Sequence, residues 1–278
     1  HTPDKILINW GNGNCPHAAA LNPASAINEV INKVTFFKKL AGTGLTPPVA
    51  FTATEAKANL SYPIVCRSVA EGQDGEGIAI ADTSSQVVPA KLYTQYIDKT
   101  SEYRIHMGRN QHGEIIVICR QKKSLSPEFT GDKRIWTGKE CKLTYIETAV
   151  EPVIAVAKAC FAKFPELTFG AFDIVYNNST EQAYVLEINS APMMNADTTQ
   201  AYGDFFRTFT TNTNTTETPV NTSTPTAAPP ISANVGLTQL VKAQFAAGHI
   251  TKQQLEQYTP PVTEETLIAN YVNALTAG

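Results

Sequence analysis

The chain has 278 residues, a formal net charge of −3, 42% hydrophobic residues and a mean hydropathy of −0.16. That length suits one large domain or two small ones with a buried core. The slightly acidic balance gives no electrostatic basis for nucleic-acid or membrane-surface binding. No run approaches the roughly 18 apolar residues of a membrane span, and no signal-peptide pattern opens the sequence. Five cysteines (Cys15, Cys66, Cys119, Cys141 and Cys160) are scattered without a CxxC pair. Neither a zinc site nor a disulfide framework is indicated, and a cytoplasmic setting is expected.

Residues 4–10 predict a strand, closed by a Gly- and Asn-rich turn at 11–14. Residues 25–41 predict one helix with Ser25 as its N-cap and Gly42 beyond its end. After the break at Pro47 and Pro48, a β-rich stretch with a short helix at 54–60 runs to about Val88. Strands follow at 93–97, 102–107 and 114–120, with a turn at 110–113 between the last two. A helix is expected at 148–163, and then a hairpin. Its first strand, 171–176, alternates around Asp173 like a half-buried strand; Asn177, Asn178 and Ser179 make the turn, and 183–188 is the second strand. Alternating strands and helices argue α/β or α+β. From about residue 208 the composition shifts. Residues 210–230 are mostly Thr, Asn, Pro and Ala and read as a flexible linker, with short helices after it at 237–249, 251–258 and 263–276. Such a small helical tail is expected to dock on the main body, on a second copy or on a partner.

The hairpin carries the chemistry. Glu187 and Asn189 are two apart and share a face, and Asp173 sits on the neighbouring strand. Two carboxylates and an amide oxygen make an all-oxygen donor set of the kind that holds Mg²⁺ together with phosphates. Gly72, Gly75 and Gly77 lie between two predicted strands, where they would serve either an anion-binding nest or a plain hairpin turn. No GxxxxGK[ST] motif is present, nor a GxGxxG opening a helix.

These pieces occur in a recognisable order: Asn32-Lys33, then GLTPPV, YPIVCRSVAEGQDGEGIAIAD, YTQYI, EYRIHM, FGAFDIV and YVLEINSAP. In that order the chain resembles the ATP-grasp superfamily over residues 28–195, in the carboxylate–amine ligase branch that includes D-alanine–D-alanine ligase and the glutamate-adding ligases. Compact ligases of this kind, some of them phage-encoded, are one comparison. The resemblance implies an α+β fold of two α/β subdomains clasping a nucleotide, with a truncated N-terminal domain and a short helical tail. The expected divisions are a strand–helix region at 1–44, a small lid subdomain at 45–97, a large subdomain with the metal site at 98–208, a linker at 209–236 and the tail at 237–278.

The resemblance further implies ATP with Mg²⁺ (or Mn²⁺), and amide or peptide bond formation through an acyl phosphate. Lys33 and Arg67 would reach the phosphates, Arg67 standing where the family more often has lysine, and Gly72, Gly75 and Gly77 would cover them. Gln95, Tyr96 and Ile97 would pair with adenine. Glu102 would hold the ribose, with Asp98 as a competitor. Arg104, Arg120 and Lys122 would stabilise the transferring phosphoryl group, with Lys123 beside them in CRQKKS. Asp173, Glu187 and Asn189 would bind the metal. Segments 71–77 and 124–142 would close over the site, and Asn12, Asn14, Cys15 and His17 would line the substrate pocket. Small-molecule or peptide carboxylates and amines are the expected partners, with no nucleic acid and no membrane. The rival expectation is a binding or structural protein that keeps the fold without catalysis.

Overall fold

The computed structural model describes residues 5–71, 75–136 and 141–209; Gly72, the predicted linker beyond residue 209 and the predicted tail helices lie outside the described residues. Of these residues, those up to Met193 together with Thr208 and Phe209 form one compact unit, and Met194–Arg207 belong to another. No described helix is long and apolar enough to cross a membrane.

The segment predicted as a first strand makes only an isolated bridge, Ile8 to Leu21. Its anchor is Asn22. In a left-handed conformation (φ 61°) that asparagine tolerates, it accepts hydrogen bonds from the Thr168 and Phe169 amides at 2.8 and 3.1 Å and donates to the Phe169 carbonyl at 2.9 Å. Trp10 stacks on Phe169 with ring centroids 5.1 Å apart. Asn22→Ala should therefore strand two amides in the core and cost roughly 3 kcal/mol, read from the denaturant midpoint. A loss under about 1 kcal/mol would show that the clamp is dispensable.

The predicted helix at 25–41 is two helices, α1 (Ala24–Ile31) and α2 (Lys33–Leu40). Asn32 divides them because its backbone is extended and its side chain accepts from the Val34 and Thr35 amides, capping α2. Short strand β1 (Val49–Ala50) leads to α3 (Ala53–Asn59), whose start is a Thr52/Glu55 capping box. Strands β2 (Ile64–Arg67), β3 (Ile78–Ala81) and β4 (Leu92–Gln95) complete an antiparallel sheet of order β1-β4-β2-β3. Its small core joins Ala56 and Leu60 to Ile64, Cys66 and Tyr93.

The larger sheet contains β5 (Ser101–Arg109), β6 (Ile115–Leu125), β7 (Cys141–Tyr145), β8 (Phe169–Asn177) and β9 (Gln182–Asn189), in the order β7-β6-β5-β8-β9. Helix α4 (Glu151–Phe161) covers one face, packing Val153, Ala157, Cys160 and Phe161 with Tyr103, Ile105, Phe172 and Ile174. Phe36, Phe37 and Leu40 of α2 join that core, where Phe36 stacks on Phe164 at 5.7 Å. β8 is buried on both faces, not half-buried, because α4 covers the even-numbered set Phe172, Ile174 and Tyr176 while Asp173 faces the opposite side among charged partners. Helix α5 (Ala196–Arg207) belongs to the second unit; Asn195 caps it by accepting from the Thr198 amide at 3.0 Å.

Candidate active site

A cavity of about 620 Å³ lies between the two sheets. The β5–β8 register places Glu102 opposite Val175 and Arg104 opposite Asp173, and the β8–β9 register places Asp173 opposite Glu187 and Ala171 opposite Asn189. Two β-bulges make this convergence. Counted without interruption from its turn, the last hairpin would put Leu186, not Glu187, opposite Asp173. The register shift between Asp173 and Ile174 adds one residue to β9 and swings Glu187 to the cavity face. A matching shift between His106 and Met107 acts on β6. There it sets Lys123 across from Glu102 and turns Arg120 and Lys122 to the other face, opposite Ile105 and Tyr103.

Arg120 and Lys122 therefore do not line the cavity, which corrects their expected place. Lys122 is exposed, with its ammonium 5.9 Å from the Tyr103 ring centroid. Lys33, Arg67, Gly75, Gln95, Tyr96, Ile97, Glu102, Arg104, Asp173, Glu187 and Asn189 all line it. Gly77 does not; with φ +70° it accepts from the Ser68 amide through its carbonyl, and an added Cβ would lie 2.5 Å from Ser68 Oγ. It is a hairpin-turn glycine. Asp98, Asn12, Asn14, Cys15 and His17 are also outside the lining, whereas Gly11 is in it.

The charges are closely paired. Arg104 forks onto Asp173, Nε to Oδ1 at 2.6 Å and Nη2 to Oδ2 at 2.8 Å. Burial opposes ionisation of both partners. Their mutual attraction wins, holding Asp173 below and Arg104 above their ordinary values. Lys33 Nζ meets Glu187 Oε2 at 3.0 Å, and Asn189 Nδ2 donates to Glu187 Oε1 at 3.4 Å. Glu102, 3% exposed, holds one lysine on each oxygen: Lys99 on Oε1 and Lys123 on Oε2, the latter at 3.1 Å. Burial pushes Lys99 below the usual lysine range despite Glu102, while Asp173 and Glu102 outweigh burial and hold Lys123 above it. Arg67 is different. Its Nε is buried without a hydrogen-bond partner, and burial lowers its pKa against the pull of Glu187 and Glu102.

Lys99, Arg134 and Trp136 are cavity residues that sequence patterning did not single out, and Lys123, expected beside Arg120 and Lys122, is the residue of CRQKKS that lines the cavity. Arg134 pairs with Asp82 at 2.6 Å, its carbonyl accepts from Lys99, and the Trp136 carbonyl accepts from Lys123 at 2.9 Å. The chain before residue 137 is thereby tied to both sheets. Its signal was the spacing of Lys99 three residues before Glu102.

Two antiparallel sheets enclosing a cationic cavity with paired acids on the last hairpin define the ATP-grasp fold, and this chain has it. An ADP complex of purK, N5-carboxyaminoimidazole ribonucleotide synthetase, matches at 18% identity over 68% of this chain and 54% of that one, with a TM-score of 0.50. N5-carboxyaminoimidazole synthetase from Staphylococcus aureus complexed with ADP matches at 17% identity over 63% and 48%, with a TM-score of 0.48. D-alanine–D-alanine ligase from Bacillus anthracis matches at 18% identity over 62% and 60%, with a TM-score of 0.46. This chain spans about half the length of the first solved structures it matches. No protein-family model and no curated protein sequence matches it.

Proposed function

We propose that the protein is an ATP-dependent ligase that joins a carboxylate to an amine through an acyl phosphate. The observation that carries this reading is Arg67, a half-buried side chain whose buried Nε has no hydrogen-bond partner, at a cavity also lined by Lys33, Lys99, Arg104 and Lys123. A buried guanidinium nitrogen without an acceptor is costly, and a phosphate oxygen is an acceptor that removes the cost. At the other end of β2, the Gln95 and Tyr96 amides are bonded to the Pro48 and Pro63 carbonyls at 2.9 Å, which leaves Ile97 as the hinge residue for a base. Glu102 would act by holding Lys99 and Lys123 as much as by accepting ribose hydroxyls.

Asp173, Glu187 and Asn189 offer only oxygen donors from register-matched positions, a set that fits Mg²⁺ shared with phosphates, although Asp173 already serves Arg104. When bound there, the ion would neutralise charge on the phosphate oxygens. A carboxylate oxygen would attack the γ-phosphorus and the bond to the bridging oxygen would break, ADP leaving with that electron pair. The amine nitrogen would then attack the acyl carbon and the bond to phosphate would break, the surplus amine proton leaving with phosphate. Arg104 and Lys123 take the stabilising role expected of Arg120 and Lys122, since they face the cavity.

Calorimetric titration of ADP with Mg²⁺ tests this. Arg67→Met should weaken binding about a hundredfold, as loss of a charged hydrogen-bond donor to phosphate does. Omitting Mg²⁺, or replacing Glu187 with Gln, should also weaken it. No binding to well-folded wild-type protein would sink the reading.

A further inference from the structure

The strand register orders the cavity along its length. Glu102 and Lys123 stand at one level, and Arg104, Asp173 and Glu187 at the next. The step between them is two residues, about 7 Å. The hinge residues Tyr96 and Ile97 precede the first level in the chain and line the same cavity. A nucleotide with its base at the hinge therefore has its sugar beside Glu102 and sends its phosphates toward Arg104, Lys33 and Glu187.

Glu102 has two candidate tasks there, holding lysines or accepting sugar hydroxyls, and the geometry supports the first. Oε1 accepts from Lys99 Nζ, and Oε2 lies 3.1 Å from Lys123 Nζ. The side chains of Glu102, Lys99 and Lys123 are only 4%, 6% and 10% exposed. Both lysines are boxed in from the far side. Lys99 Nζ also donates to the Arg134 carbonyl at 3.0 Å and lies 4.8 Å from the Trp136 ring centroid. Lys123 Nζ donates to the Trp136 carbonyl at 2.9 Å. The Trp136 indole is fixed in turn by donating to the Lys133 carbonyl at 2.7 Å, and Arg134 is anchored on Asp82. A hydroxyl reaching Oε1 would have to draw Lys99 off it. Breaking a buried ion pair costs more than one hydrogen bond to a charged group returns. The neighbouring acid, Asp98, is exposed and outside the cavity lining. Asp173 and Glu187 stand at the phosphate level with Arg104 and Lys33 already on them.

Resting on the nucleotide-binding part of the ligase reading, we infer that the sugar level of this cavity does not read the ribose hydroxyls, and that Lys99 is the residue that sets this indifference. A site built to bond a hydroxyl rejects the deoxy analogue because a buried polar group is then left unpaired. Here Lys99 and Lys123 keep both carboxylate oxygens paired whether or not a hydroxyl is present, so that penalty is missing.

Calorimetric titration of ADP, 2′-deoxy-ADP and 3′-deoxy-ADP, each with Mg²⁺, into the full chain tests this. The wild-type protein should bind all three within about threefold of one another. Lys99→Met uncovers Oε1 and should introduce a preference for ADP of about tenfold over at least one of the two analogues. Lys99→Arg keeps a cation on Glu102 and should retain the wild-type ratios. A wild-type preference for ADP of more than about threefold over either analogue would overturn the inference while leaving the ligase reading standing. Equal binding of all three by Lys99→Met would overturn the role of Lys99. If that variant does not fold, the wild-type comparison decides by itself. Failure of ADP to bind the wild-type protein would remove the ligase reading and this inference together, and so separates the two cases.

Discussion

Arg104→Met should lower the unfolding free energy by about 3–5 kcal/mol at neutral pH. The guanidinium is 15% exposed and its partner carboxylate 8% exposed, so the substitution leaves Asp173 ionised in a site that water reaches poorly. Lys123 is the other positive influence on that carboxylate at neutral pH, where the His106 imidazole is uncharged, and it does not replace the two-pronged bond that Arg104 makes. The double change Arg104→Met with Asp173→Leu should recover most of the loss, because a buried pair replaced by apolar groups of similar size is often neutral. Arg104→Lys should fall between, keeping charge without the planar fork. Guanidinium denaturation of the three variants decides the point. If the double variant is no more stable than Arg104→Met, the cost lies in packing and not in the stranded charge. Nucleotide binding should be weakened in all three, since each alters the level of the cavity assigned to phosphate.

The same part of the molecule shows what patterning could and could not reveal. Asp173, Glu187 and Asn189 were legible as a constellation because a hairpin with acids is readable from β-rich runs around an Asn-rich turn. Lys33 and Arg67 were legible only through the order of motifs, because a lysine on a helix is ordinarily a solvated one. Lys122 was expected where Lys123 stands. An uninterrupted count from the turn at 110–113 puts Lys122 opposite Glu102, and the bulge that moves the register by one residue has no glycine or proline to announce it. The split at Asn32 was missed for a related reason. The apolar spacing continues through it, and only the choice of that side chain to cap α2 ends α1. The strand predicted at 4–10 failed because its alternation has no sheet to join; Asn22 and Trp10 attach it to β8 from outside the ladder. Local pattern carried the elements, while side-chain bonding and bulges set which face each residue took.

His106 gives the second large effect, a loss of stability in mild acid. It is fully buried on β5, bonded through Nε2 to Gln121 Oε1 at 3.0 Å, and sits one step along the cavity face from Arg104. Burial lowers its pKa from 6.5 to about 4; the Gln121 bond opposes that shift, Arg104 adds to it, and Asp173 opposes it. The folded protein therefore binds the imidazole proton less readily than the unfolded chain does. Between pH 6.5 and 4 the unfolded state carries more protons, so stability is full above that window and falls as pH falls through it. The shift corresponds to roughly 3 kcal/mol. Asp173 acts in the same direction at lower pH, because its carboxylate is held below its ordinary value and its pairing with Arg104 is lost on protonation. His106→Gln should remove the upper part of the slope while leaving the lower part, which belongs to Asp173. Denaturant midpoints measured in steps from pH 7 to about pH 2 separate the two. A wild-type curve that is flat across this window, or a His106→Gln curve with the same slope as wild type, would show that the imidazole is not the group that titrates.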